Sequence, residues 1–258
     1  MCYSGLQRPK VTFVRHGVTE MNEHLSLNPW GSRGFKDAGF WDTQLSTAGK
    51  RACCSLNGKL LGQSEIGGSI SSAYRELLNS KSISLVSSPL TRTLQTSELI
   101  FKNVKVASYS TNPLLRERLY LSSDRGRLKS ELIKDFPYSS CGISWDFSLL
   151  PDDAKWWYET EASGTRPYVE WRPAGEYLCD GELESVFKNR MKDLLQWIRY
   201  RVTESSVATT GEVRGEDGEA LVLVTHWGVI RALTGRSFEN CEAGSFHIDE
   251  LLDEPFID

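Results

Sequence analysis

Arg15 and His16 stand directly after a short run of β-branched and aromatic residues, 10–14. A neutral imidazole is a competent nucleophile towards phosphorus, and a neighbouring guanidinium can neutralise the oxygens of a phosphoryl group during its transfer. A histidine after a strand is also a common hydrogen-bonded structural residue. The pair alone therefore leaves both a chemical and a structural role open.

Two further basic residues occupy comparable positions. Arg92 falls in the first turn of a predicted helix, where backbone N–H groups and the helix dipole favour an anion. His226 follows another apolar run, 220–224. Together with Arg15 and His16, these residues would form a positive pocket of phosphate size in a chain whose net charge is -4.

Three apolar runs that each stop at a turn predict three buried strands, at residues 10–14, 82–86 and 220–224. Helical spacing predicts a helix that begins at Ser46 or Thr47, a second that has Ser88 as its cap and Pro89 in the first helical position, and a third from 182 to about 201. This alternation predicts an α/β fold, a three-layer α/β/α sandwich with a mostly parallel central sheet. Ligands of such sheets bind at the carboxyl ends of the strands, where the four basic residues would meet.

One domain spanning residues 1–258 is the predicted organisation, since no repeat and no sharp linker divides the chain. Residues 139–181 form an irregular insertion rich in aromatic residues, which could be a lid or side subdomain, a small local core, or a hydrophobic mouth for a larger organic group. Residues 203–219 are rich in Glu, Gly, Ser and Thr and predict a flexible loop.

Composition and charge exclude several classes of function. The chain has 258 residues with 30 Lys and Arg against 34 Asp and Glu, and it contains no basic block, so nucleic acid is not an expected partner. Its longest apolar runs are too short to cross a bilayer, and no secretory signal is evident, so a cytoplasmic location without membrane association is expected. The 6 Cys show no metal-binding spacing and are expected to be free thiols, with no metal and no cofactor implied. The sequence does not indicate the oligomeric state.

Five motifs, in their order along the chain, resemble the histidine phosphatase superfamily, also called the phosphoglycerate mutase-like family. They are residues 14–17 (Val-Arg-His-Gly) with Thr19 and Asn22, then 42–49, 87–96, 115–117 and 224–230. These motifs extend over most of the chain. The resemblance implies the phosphoglycerate mutase-like form of the α/β/α sandwich.

The resemblance also implies roles for individual residues. His16 would accept the phosphoryl group as a phosphohistidine, and Arg15, Arg92 and His226 would bind its oxygens. Glu117 would protonate the leaving alcohol and then activate water, which requires a carboxyl group whose pKa is raised. Substrate-binding positions are implied for Asn22, Thr19, Thr225 and Trp227. The expected activity is a metal-independent phosphomonoesterase acting on a small-molecule phosphate ester.

Within the superfamily, residues 40–46, 116–119, 146–150 and 240–242 look closer to plant and fungal phosphoglycerate mutase-like proteins than to the glycolytic mutases. Val18 stands where mutases usually carry Glu. A mutase would need further cations, for which the candidates are Arg118, Arg125, Arg127, Lys129, Arg166 and Arg172. Phosphoglycerate mutase-type phosphoryl transfer and a non-catalytic phosphate-binding module remain the alternatives.

Overall fold

The computed structural model describes residues 9–63, 70–137, 143–152, 154–157, 182–206 and 219–257. Its strands are β1 (Lys10–Arg15), β2 (Ile83–Ser87), β3 (Ser108–Thr111), β4 (Trp145–Asp146), β5 (Ala220–Thr225) and β6 (Ala243–His247). They form one sheet in the order β4-β3-β2-β5-β1-β6. Neighbouring strands are parallel except for β6, which runs antiparallel to β1 at the edge.

The helices are α1 (Glu20–Leu27), α2 (Thr47–Leu60), α3 (Ser72–Leu78), α4 (Thr91–Ile100), α5 (Lys129–Asp135), α6 (Glu184–Ser206) and α7 (Trp227–Thr234). Alternate residues of the central strands point to opposite faces of the sheet. Val11 and Phe13 of β1 pack in the core on the α6 and α7 side, whereas Val14 packs in the core that contains residues of α2, α3 and α4. These two cores confirm the predicted three-layer α/β/α sandwich.

The three predicted strands are confirmed to within one residue at each end. Ser46 caps α2, because its side chain accepts from the backbone N–H of Gly49 at 3.1 Å. The predicted start of α4 was wrong. This helix begins at Thr91 after Leu90, which provides no side-chain cap.

A distant residue provides the missing cap of α4. The carboxylate of Asp42 accepts from the backbone N–H of Thr91 at 2.8 Å and from its hydroxyl at 2.5 Å. Ser88, the predicted cap, instead contacts His226 through its hydroxyl. Because Asp42 is far from Thr91 in sequence, the local pattern could not locate this helix start.

Parts of the two segments that the sequence predicts to be irregular form a helix or a strand in the structure. Helix α6 extends past the predicted end near 201 as far as Ser206, and residues 207–218 lie outside the described residues. In the segment 139–181, β4 pairs with β3, and Trp145, Trp156 and Trp157 are buried in the core. The described part of this segment is thus sheet and core rather than a lid. Residues 138–142, 153 and 158–181 lie outside the described residues.

Neither a spanning helix nor a disulfide is found in the part of the chain that the structure describes. No helix there combines the length and apolar character needed to traverse a membrane. Cys53, Cys54 and Cys241 are free thiols, as expected, and Cys2, Cys141 and Cys179 lie outside the described residues. The single-domain organisation and the cytoplasmic location stay predictions.

Candidate active site

His16 lies at the carboxyl end of the sheet, directly after β1, and lines a cavity of about 280 Å³. Its Nδ1 atom is 2.7 Å from the carbonyl oxygen of Gly17. Because a carbonyl oxygen only accepts, Nδ1 must carry the proton of the neutral ring, which leaves the lone pair on Nε2. Burial, reinforced by the guanidiniums of Arg92 and Arg15, lowers the pKa of His16 well below its usual value. His16 is therefore a neutral imidazole with a free lone pair at neutral pH.

Helix α4 fixes the turn that holds His16. The backbone N–H of Gly17 donates to the hydroxyl of Thr96 at 2.9 Å, and the backbone N–H of Leu45 donates to the side chain of Gln95 at 2.8 Å. These bonds explain why polar residues occupy buried positions of α4. They connect the turn that holds His16 to the helix that carries Arg92.

Arg15 places a second cation beside His16 in the cavity. One of its terminal nitrogens donates to the carbonyl oxygen of Phe238 at 2.5 Å. Its Nε is buried and has no hydrogen-bond partner among the described residues, and the same holds for the hydroxyl of Thr43, which also lines the cavity. Buried donors are normally satisfied, so these two atoms point to a ligand with acceptor oxygens.

Arg92 is buried and held on three sides. It donates from Nε to His226 Nδ1 at 3.2 Å, from one terminal nitrogen to the carbonyl oxygen of Ser123 at 2.5 Å, and from the other to Asp124 at 2.9 Å. A guanidinium has five N–H groups, so two remain for a ligand in the cavity that Arg92 lines. The held guanidinium is well placed for recognition of an oxyanion.

His226 departs from the expectation that it would add positive charge and bind oxygens directly. It is fully buried, and burial together with Arg92 and His16 lowers its pKa well below the usual value, so the ring is neutral. Its Nδ1 accepts from Arg92 and its Nε2 contacts the hydroxyl of Ser88 at 2.8 Å, so both nitrogens are engaged. Its ring centroid lies 5.1 Å from that of His16. In this geometry His226 orients Arg92 from behind the cavity, and Arg15 and Arg92 supply the charge.

Glu117 lines the same cavity, held by two backbone N–H groups. The N–H of Arg118 donates to its Oε1 at 2.9 Å, and the N–H of Gly228, in the first turn of α7, donates to its Oε2 at 3.2 Å. A Cβ on Gly228 would lie 2.4 Å from Oε1, so this position must be glycine for the carboxyl group to fit. Burial, and then the charge of Asp124, raise the pKa of Glu117.

Asp124 is the main functional candidate that the sequence analysis missed. It is buried, pairs with Arg92, and accepts from the backbone N–H groups of Tyr120 and Leu121 at 3.1 and 2.9 Å. Burial raises the pKa of Asp124 as well as that of Glu117. Because Asp124 pairs with Arg92 and Glu117 has no ion pair among the described residues, Glu117 is the better candidate for a protonated carboxyl group. No local motif marks Asp124, which ends a short 3-10 helix, Ser122–Asp124, and lies 32 residues after Arg92.

The four implied substrate-binding residues do not all reach the cavity. Asn22, Thr19 and Trp227 line it. The hydroxyl of Thr19 is used in capping α1, where it accepts from the backbone N–H of Asn22 and contacts the Asn22 amide oxygen. Thr225 is fully buried, and its hydroxyl donates to the carbonyl oxygen of Leu115 at 2.7 Å, so a direct substrate contact does not fit its position.

Of the additional cations, Arg118 alone among the described candidates lines the cavity. Arg125 stacks over Trp41. Arg127 pairs with Asp42 and Asp135, and Lys129 pairs with Asp152. Arg166 and Arg172 lie outside the described residues. Within the described ranges, no group of three or more His, Cys, Asp or Glu side chains could hold a metal ion.

No protein-family model matches this chain, and no curated protein matches it. Solved structures do match. An ecdysone phosphate phosphatase from Bombix mori in complex with tungstate has a TM-score of 0.50 at 14% identity, covering 92% of this chain and 88% of that chain. A mycobacterial glucosyl-3-phosphoglycerate phosphatase in complex with VO3 has a TM-score of 0.47 at 18% identity, covering 94% and 95%. The six-stranded, mostly parallel sheet between helices matches the phosphoglycerate mutase-like fold.

Proposed function

We propose that the protein is a phosphomonoesterase that acts through a phosphohistidine on His16. The observation that carries the proposal is a neutral imidazole whose lone pair is on Nε2, placed in one cavity with Arg15, Arg92 and a carboxyl group whose pKa is raised. Two solved structures of similar fold are phosphatases, one in complex with tungstate and one with VO3.

The proposed first step transfers the phosphoryl group to the enzyme. The Nε2 lone pair of His16 attacks phosphorus, and the bond from phosphorus to the ester oxygen breaks. Arg15 and Arg92 neutralise the oxygens of the transferring group, which is a large part of catalysis in such reactions. Protonated Glu117 gives its proton to the departing alkoxide, so that a neutral alcohol leaves.

The proposed second step regenerates the enzyme. Glu117, now a carboxylate, takes a proton from a water molecule as that water attacks phosphorus. The bond from phosphorus to Nε2 breaks, phosphate leaves, and His16 again holds a lone pair. The two guanidiniums supply the positive charge in both steps, so the proposed mechanism uses no metal and no cofactor.

The experiment that tests this proposal measures phosphate release from p-nitrophenyl phosphate by the wild type and by His16→Ala. We expect the variant to lose at least about 1000-fold in kcat, because it lacks the nucleophile. Thr225→Ser is a matched control on the adjacent strand, since it keeps the hydroxyl bond to Leu115. Wild-type turnover by His16→Ala would overturn the proposal.

The alternatives from the sequence predict other results, in this assay and in assays of phosphate binding and of phosphoglycerate interconversion. A non-catalytic phosphate-binding module would bind phosphate and release none from any ester. A mutase would interconvert 2- and 3-phosphoglycerate faster than it hydrolyses them. The pairing of Arg125, Arg127 and Lys129 with other side chains favours the phosphatase, because a bisphosphorylated intermediate needs further free cations.

A further inference from the structure

The cavity beside His16 is lined by two chemically different sets of side chains. The polar set, which we call the polar end, consists of Arg15, His16, Arg92, Glu117 and Asp124. The second set consists of large apolar side chains, which we call the aromatic end: Leu25, Trp30, Tyr120, Phe187, Trp227 and Phe256. Phosphate chemistry needs only the polar end, so the aromatic end requires a separate explanation.

Exposure shows that four side chains of the aromatic end lie outside the protein core, whereas Phe187 is buried in it. Trp30 is 54% exposed, Tyr120 42%, Trp227 38% and Phe256 44%, although they come from four separate segments of the chain. Single exposed apolar residues are common, but a cluster in one concave site usually marks a binding surface. All four residues line the cavity that contains His16.

Two arginines keep these rings in place. The guanidinium of Arg118 lies 4.8 Å from the ring centroid of Tyr120 and 5.5 Å from that of Phe187. The guanidinium of Arg231 lies 5.4 Å from the ring of Trp227 and 4.7 Å from that of Phe256. Such stacks order otherwise exposed rings and offer flat surfaces to a ligand.

We propose that the substrate is a phosphate monoester of a bulky, apolar, ring-containing alcohol, whose ring system occupies the aromatic end while its phosphate binds at the polar end. This inference rests on the proposed phosphatase function and adds the class of leaving group. The cavity of about 280 Å³ is close to the lower limit of about 300 Å³ for small-molecule sites, which suits one or two fused rings with the phosphate. A polyhydroxylated sugar would lose hydration against these side chains without finding enough partners.

A matched pair of substrates tests the inference. Cyclohexylmethyl phosphate and glucose 6-phosphate are both esters of a primary alcohol on a six-membered ring, and they differ mainly in the ring's polar groups. We expect kcat/KM to be at least about 100-fold higher for the apolar ester, and about 10-fold higher for 1-naphthyl than for phenyl phosphate, since added apolar contacts in a hydrophobic pocket give about 10–200-fold.

Two exposed tryptophans provide a matched pair of variants. Trp30→Ala removes a ring of the aromatic end, whereas Trp41→Ala removes a tryptophan of similar exposure, 59%, that does not line the cavity. Trp30→Ala should lower the apolar preference, which is the ratio of kcat/KM for cyclohexylmethyl phosphate to that for glucose 6-phosphate, about 10-fold, mainly through a higher KM for the apolar ester. Trp41→Ala should change neither substrate.

The outcomes separate this inference from the proposed function. Equal kcat/KM for the two esters would overturn the inference and leave the phosphatase intact. The non-hydrolysable 1-naphthylmethylphosphonate, titrated by calorimetry, gives an independent readout of the aromatic end. Tight binding of this phosphonate to the wild type, weakened by Trp30→Ala, would support binding of an apolar group at the aromatic end. If no ester were hydrolysed, the phosphatase proposal and the substrate class that rests on it would fail, and only this binding role would stand. Absence of both hydrolysis and phosphonate binding would overturn both.

Discussion

Gly228→Ala should displace the carboxyl group of Glu117, the proposed general acid, without replacing Glu117 itself. The new Cβ would lie 2.4 Å from Oε1 of Glu117, about 1.0 Å short of the 3.4 Å at which ordinary van der Waals contact begins. Gly228 has no positive φ and lies in α7, so alanine is compatible with its backbone. The carboxyl group of Glu117 must therefore move by about 1 Å, and a displacement of this size near reacting atoms can cost about 100-fold in rate.

The free energy of unfolding should change little in this variant. Alanine is favoured over glycine in a helix interior by about 1 kcal/mol. The lost hydrogen bond from the Gly228 N–H to Glu117 is worth about 1 kcal/mol in the other direction. We therefore expect denaturant unfolding to show a net change within about 1 kcal/mol, which separates a catalytic effect from a folding defect.

The assay compares two classes of ester. For an alkyl phosphate, kcat/KM of Gly228→Ala should fall about 100-fold, because a poor leaving group needs the proton of Glu117. For p-nitrophenyl phosphate the loss should be below about 10-fold, since this leaving group departs without a proton. Gly58→Ala in α2 is the control for replacing a helical glycine. Adding Gly228→Ala to Glu117→Ala should cause no further loss of kcat/KM on alkyl esters. Wild-type rates on alkyl esters in the Gly228→Ala single variant would refute the reasoning.

Three further predictions concern the buried charges. Burial and Asp124 raise the pKa of Glu117, so alkyl-ester hydrolysis should decline as pH rises through that raised pKa. Glu117→Gln should abolish this decline in the pH profile of kcat/KM. If the decline persists in Glu117→Gln, Glu117 is not the acid. Asp124→Asn removes the neighbouring negative charge, so the same decline should move to lower pH, while an unmoved profile would show that the two carboxyl groups are not coupled. Arg190→Ala should lower the free energy of unfolding by about 3 kcal/mol in urea, because it leaves Glu182 buried with Arg116 as its remaining partner; a loss below about 1 kcal/mol would contradict this.

The sequence predicted the central sheet and the end of it at which the candidate site lies because both depend on local patterns. The apolar runs at β1, β2 and β5 are continuous and stop abruptly, which is typical of buried parallel strands. Parallel strands bring their carboxyl ends to one edge, so Arg15, His16 and Arg92 met as expected. The orientation of His16 could not be predicted, since it depends on a contact with the carbonyl oxygen of Gly17.

Errors arose wherever a distant residue decides the local structure. The start of α4 depends on Asp42, which is 49 residues from Thr91. The neutral state of His226 depends on complete burial beside Arg92, which no short segment encodes.

The aromatic end of the cavity shows the same limitation. Trp30 and Tyr120 belong to segments without clear periodicity, and their rings meet at 5.5 Å only in the folded chain. Trp156 and Trp157 lie in the segment 139–181, for which the sequence left both a local core and a hydrophobic mouth open, and they are buried in the core. An aromatic residue in an irregular segment thus packs or binds according to its tertiary neighbours, not its own spacing.

Trapping of the phosphoenzyme tests the central claim most directly. The wild type is mixed with a 32P-labelled ester, and the reaction is quenched in base. The protein is then digested, and the labelled peptide is sequenced by mass spectrometry. We predict a label that is stable in base and lost in acid, attached to His16, and absent from His16→Ala. Steady hydrolysis with no labelled protein, or a label on any residue other than His16, would contradict the account.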